Sequence, residues 1–239
     1  MNIAQDKLLK EFNLIIMNAS SIYEIPSEIE CYVKEQCEKQ RIPYFLLKHS
    51  AELRKFDRTY FADTLTASCS DTAVLSLFSY AMDAFESCPA STKYHGSYFG
   101  GLLDHTLTVC EIMYELLQAF IPSDDSTFRD SALKCCFLHD IGKLGTIATP
   151  MYVVNPDFSK HNKEPFIWNE TLVQMPHEQY SIYLINQFKI QLTPEEYQAI
   201  AYHNGYYVEG TMQALRGNES KLTLLLHTAD NFASKIRGC

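Results

Sequence analysis

Six side chains between residues 105 and 230 have the types and spacing to hold a metal ion: His105, His139, Asp140, His177, His203 and Asp230. Successive histidines, and the closing aspartate, are separated by 34, 38, 26 and 27 residues, each about the length of a helix plus a connection. Imidazole and carboxylate donors in this mix suit Mn, Fe, Co, Ni or Zn, with Mg at the oxygen-rich end. Each residue alone has a plainer reading, as a helix cap, a surface histidine or half of an ion pair. The adjacent pair His139-Asp140 is the strongest member, because it ends the apolar run Ala132, Leu133, Cys136, Phe137, Ile141, whose three- and four-residue spacing marks a helix face turned to a core. A charge at the end of such a face is costly unless it is paired or binds a cation. Gly142 and Lys143 just beyond also fit a helix stop and a cation complementing the helix dipole.

Helices must carry these residues. Residues 102–120 predict a strong helix with Leu103, Leu107, Cys110, Met113 and Leu117 on one side and His105 in the first turn. His177 falls in the first turn of a helix marked by Ile182, Ile185 and Phe188. Thr193-Pro194-Glu195-Glu196 is a capping box with proline at the first helical position, opening a helix that ends in His203-Asn204-Gly205. Asp230 interrupts the apolar pattern of a last helix starting near Lys221. Between residues 146 and 170, Tyr152–Val154 and Phe166–Trp168 predict two short strands. The first third predicts helices over 6–17, 27–40, 45–56 and 71–87, which carry packing and no visible chemistry. Cys88 to Gly101, rich in turn formers, is an irregular lead into the helix that bears His105.

At 239 residues, 46% hydrophobic and 21% charged, the chain is long enough to bury a substantial core. Lys and Arg number 20 against 29 Asp and Glu, a formal charge of -9 with no basic run, which argues against a duplex nucleic-acid ligand and favours a small substrate. Eight cysteines without a CxxC pair make neither a zinc ribbon nor a disulfide scaffold and fit a reducing cytoplasm. Phe12 to Met17 lacks the form of a signal peptide, and no apolar run reaches the roughly 18 to 20 residues that span a bilayer. Composition leaves the oligomeric state open.

The ordered set H…HD…H…H…D resembles the HD-domain superfamily of metal-dependent phosphohydrolases, over roughly residues 88–237. The string HGSYFGGLLDHTL is similar to one in a branch that includes bacterial HD-type 3'-5' exonucleases, and HDIGK at 139–143 and HTAD at 227–230 are similar in form. The resemblance implies an all-α HD-domain helical bundle over 88–239; the residue pattern adds a small β-hairpin insertion and an N-terminal helical extension, 1–87, which lies outside the resemblance. It implies that His105, His139, Asp140 and Asp230 hold one metal, and that His177 and His203 hold a second with Asp140 bridging. The implied reaction is attack of a metal-activated hydroxide on a phosphate ester or anhydride of a nucleotide or short oligonucleotide. Lys143 would contact the phosphate, or else cap its helix; His177, if only one metal binds, would serve substrate or proton transfer; Lys235 and Arg237 are further cations near the site. Alternatives are an HD-type diiron oxygenase, a 3'-5' exonuclease on single strands, and a non-catalytic nucleotide sensor.

Overall fold

Five helix starts among the described residues are set by short polar side chains that accept from backbone amides left unpaired in the first turn. The computed structural model describes residues 27–40, 42, 44–158, 163–205 and 214–237. Its helices are α1 (Ser27–Gln40), α2 (Tyr44–Leu53), α3 (Arg58–Ser68), α4 (Thr72–Ser87), α5 (Gly101–Phe120), α6 (Ser126–Leu138), α7 (His177–Gln187), α8 (Pro194–Tyr202) and α9 (Lys221–Phe232). Asp57, Asp71, Asp125, Thr193 and Ser220 cap α3, α4, α6, α8 and α9, and the box at Thr193 and Glu196 is formed from both sides. A 3-10 turn, Ile141–Leu144, follows α6, and α9 widens into a π-type turn over Ala233–Arg237. The sheet is one antiparallel hairpin, β1 (Tyr152–Val154) on β2 (Phe166–Trp168), with Tyr152 opposite Trp168 and Val154 opposite Phe166. The described chain is thus mainly helical with a small hairpin, and none of its helices is long and apolar enough to cross a membrane.

Two differences from the sequence expectation have local causes. Helix α3 has no counterpart there, since its buried residues are Phe61 and Leu65, too few to mark a period. Helix α2 stops at Leu53 instead of 56 because the buried Asp104 carboxylate takes the amides of Lys55 (2.8 Å) and Phe56 (2.9 Å) out of the helical pattern. The helix expected over 6–17 lies outside the described residues.

The core is continuous across the middle of the chain. Phe61 of α3, Phe78 and Phe85 of α4 and Phe137 of α6 pack with ring centroids 5.0 to 6.2 Å apart, in tilted and edge-to-face pairs. Phe137 stands two residues before His139, so this aromatic cluster fixes the end of α6 from behind. A smaller cluster joins Val33, Cys37, Leu46 and Leu47 to Phe99 and to Phe166 of the hairpin. The seven described cysteines are free thiols, and Cys110 and Cys136 lie buried on the helix faces expected of them.

Candidate metal centre

Helix ends bring the six side chains together. His105 sits in the first turn of α5, His139 is the last helical-geometry residue of α6, His177 is the first of α7, His203 closes α8, and Asp230 lies near the end of α9. Asp140 leaves the α6 spiral (φ -109°, ψ 4°), which turns its carboxylate across the helix end. The 3-10 turn that follows packs on α7 through a chain of bonds: the Gly142 amide donates to Ser181 Oγ (2.9 Å), whose hydroxyl donates to the His139 carbonyl (2.7 Å). This contact sets His177 against Asp140.

Asp140 stands between two imidazole pairs. Its Oδ2 lies 3.3 Å from His105 Nε2 and 3.5 Å from His139 Nε2, while its Oδ1 lies 3.1 Å from His177 Nε2 and 3.5 Å from His203 Nε2. Within each pair the Nε2 atoms are 3.4 Å and 3.3 Å apart. Asp230 Oδ1 joins the first group, 3.1 Å from His105 Nε2. His105, His139, Asp140 and His203 are buried, and His177 and Asp230 half-buried. Lys143, also buried, donates its ammonium to Asp140 Oδ2 at 2.5 Å.

Backbone contacts decide what these atoms can do. His139 Nδ1 faces the Cys136 carbonyl and His203 Nδ1 the Ile200 carbonyl, both at 2.8 Å, so each ring carries its proton on Nδ1 and turns a bare Nε2 inward. Those lone pairs then meet carboxylate oxygens, acceptor against acceptor, and among the described residues no hydrogen bond satisfies Asp140 Oδ1. A cation resolves that opposition. Atoms bonded to one ion at about 2.1 Å lie roughly 3.0 to 3.4 Å from each other, close to the spacings found here. His105, His139 and Asp140, and likewise Asp140, His177 and His203, therefore form two groups able to hold a metal.

Charge in the centre is strongly organised. For Asp140, burial works against ionisation, but Lys143, then His139 and His105, hold it well below the usual carboxylate range. Asp230 is held low too, burial again being outweighed by the hydrogen bond from His105 and by its charge. Burial opposes a charge on His105, yet its bonds to Asp140 and Asp230 outweigh this and raise its pKa from 6.5 to about 9. In the absence of metal a proton thus occupies part of the metal's place. Because the folded pKa exceeds the ordinary one, this proton stabilises the metal-free protein fully below pH 6.5 and its contribution is lost as pH rises through 9. The expected loss is about 3 kcal/mol. Melting of metal-stripped protein between pH 6.5 and 9.5 checks this, with saturating Mn2+ expected to flatten the dependence; a midpoint that rises with pH would contradict it.

The centre opens on a cavity of about 220 Å³. Beyond Asp140, His177, His203, Asp230 and Lys143, its walls include Ser91, His95, Tyr152, Asn204, Ser234 and Lys235. Lys143, expected either at a phosphate or capping a helix, lines this cavity while paired with Asp140. Lys235 is exposed at the rim, carried there by the π-type turn; the Arg237 side chain lies outside what is described. His95 was not singled out by type and spacing, although it heads the HGSYFGGLLDHTL string. Its ring lies 5.1 Å from that of His105, its Nε2 is 3.3 Å from Ser234 Oγ, and burial followed by the charge of His105 pushes its pKa down to about 3. It therefore lines the cavity as a neutral imidazole. Comparison of the chain with protein-family models, with curated proteins and with solved structures returns no match.

Proposed function

We propose that this protein is a metal-dependent phosphohydrolase that cleaves a phosphate ester or anhydride of a nucleotide or short oligonucleotide. The observation that carries the reading is Asp140, whose two oxygens each face their own histidine pair at a cavity that also receives Lys143. Bound there, divalent ions supply a hydroxide nucleophile near neutral pH and stabilise charge on the attacking and leaving oxygens.

The chain's own residues supply the rest. Lys143 holds the Asp140 carboxylate ionised and in place, and with Lys235 at the rim gives the cavity cationic partners for a phosphoryl group. His95, uncharged, offers a ring nitrogen as a hydrogen-bond partner to substrate without adding charge. At about 220 Å³ the cavity is smaller than the roughly 300 Å³ at which whole-ligand pockets begin, so it suits the phosphate end of a substrate whose remainder lies outside. The formal charge of -9 counts against long polymers.

Four imidazoles also make this a nitrogen-rich environment for iron, which favours a diiron oxygenase as the second reading. Purified protein supplied in turn with Mn2+, Fe2+, Co2+, Ni2+ and Mg2+ should release product from a nucleotide panel or a labelled single strand. That release should disappear in His139→Ala. No release with any of these metals would sink the hydrolase, and oxygen uptake dependent on reduced iron would establish the oxygenase instead.

A further inference from the structure

The two halves of the centre are not equivalent. On the Oδ1 side, the side-chain amide of Asn204 enters the space between the imidazoles: its Nδ2 lies 3.2 Å from His177 Nε2 and 3.5 Å from His203 Nε2. The same nitrogen donates to Glu178 Oε1. A carboxylate only accepts, so Glu178 determines which end of the amide points inward, and that end is the NH2 group. His203 Nε2 is an acceptor, because the Nδ1 proton of that ring is committed to the Ile200 carbonyl. His177 turns Nδ1 towards Glu178 Oε2, 3.6 Å away, which leaves its Nε2 facing Asp140 and Asn204. One amide hydrogen goes to Glu178, and the other faces the two ring nitrogens that a metal would use.

We propose that Asn204, held by Glu178, is a latch on the second metal position, that of Asp140 Oδ1, His177 and His203. A cation entering this position must displace the amide from both ring nitrogens, whereas on the Oδ2 side the competing donor is the Lys143 ammonium, 2.5 Å from that oxygen, and no side-chain amide among the described residues. The centre loads in two steps: a tighter ion held by His105, His139, Asp140 and Asp230, with two carboxylates, and a weaker, exchangeable one held by Asp140, His177 and His203, with one carboxylate and the latch to displace. Asn204 follows His203 directly in the turn after α8, so movement of the latch and presentation of His203 share one stretch of backbone. The inference rests on the metal centre and not on the reaction assigned to it.

The test is a Co2+ titration of the metal-stripped full chain, followed by calorimetry and by the visible absorption of the bound ion. Wild type should bind in two steps, and His177→Ala should abolish the weaker step alone, which identifies it. Asn204→Ala should tighten that weaker step about tenfold, the equivalent of one good hydrogen-bond set released, and leave the tighter step unchanged. Asn204→Ser, too short to reach both rings, should do the same and covers the case in which the alanine variant folds poorly. Weaker binding in both variants would overturn the latch and make Asn204 a ligand; unchanged binding would overturn it as well. If wild type bound no Co2+, or if His177→Ala changed neither step, the metal centre would fail and the latch with it, whatever the outcome of the nucleotide assay.

Discussion

Replacing Asp140 with asparagine is expected to empty the centre of metal and to lower metal-dependent turnover by roughly 10³-fold, beyond the 10- to 100-fold typical of residues that only orient ligands. The size of the effect follows from the position of the carboxylate. Each of its oxygens lies 3.1 to 3.5 Å from a different histidine pair, so both groups able to hold an ion depend on it. Asparagine offers one carbonyl oxygen, and its amide would place a donor where the other pair needs an anionic ligand. Its neutrality also strands Lys143, a buried ammonium whose closest anionic atom is Asp140 Oδ2 at 2.5 Å. Removing one partner of a buried pair costs about 3 to 5 kcal/mol. Metal content per chain by mass spectrometry, read with the melting temperature, checks both consequences. Asp230→Asn is the contrasting variant: among the described residues the ion-pair contact of Asp230 with the histidines is to His105, 3.1 Å away, so the first position should weaken most. Full metal content in Asp140→Asn would mean that Asp140 does not join the two groups.

The residues of the candidate metal centre were legible because polar side chains at the ends of apolar helix faces are local anomalies. His139-Asp140 ends the α6 face, and Asp230 interrupts the α9 face, within a turn or two of the pattern they break. The capping box at Thr193 and the strands around Tyr152 and Ile167 were legible for the same reason, since each is written in a few consecutive residues. What was not legible depends on partners distant in sequence. Asp104 reads as one polar residue in a helix, yet its carboxylate fixes amides 48 and 49 residues away and takes the Tyr98 hydroxyl at 2.7 Å. Burial pushes its pKa up while those same bonds pull it down, a balance invisible without the fold. Asn204 reads as a helix-end residue beside a glycine, and only the approach of α7 makes it a neighbour of His177. Lys143 remained ambiguous in sequence because contacting a phosphate and capping a helix both suit a cation just past His139-Asp140, and its pairing with Asp140 emerges only in the fold.

Gly142→Ala carries the second large expectation, a loss of about 3 kcal/mol or more and a fall in melting temperature of roughly 6 to 12 °C. The cause is contact, not backbone conformation. A Cβ on Gly142 would lie 1.8 Å from the His177 carbonyl oxygen and 2.4 Å from the Ser181 amide nitrogen, both of them backbone atoms of α7 that no side-chain rotation can move. Relief requires the 3-10 turn and α7 to separate. Separation breaks the bonds through the fully buried Ser181 Oγ, which ties the Gly142 amide to the His139 carbonyl. It also carries His177 away from Asp140 Oδ1, now 3.1 Å distant, so the weaker metal position should be lost before the tighter one. Gly217 supplies the control: its φ of +76° disfavours alanine, but a Cβ there meets nothing within 4 Å, so Gly217→Ala should cost only about 1 kcal/mol and leave metal binding intact. A Gly142→Ala protein as stable as wild type, with both metals retained, would show that α7 can retreat without loss, and the close approach that aims His177 at Asp140 would then have no mechanical role.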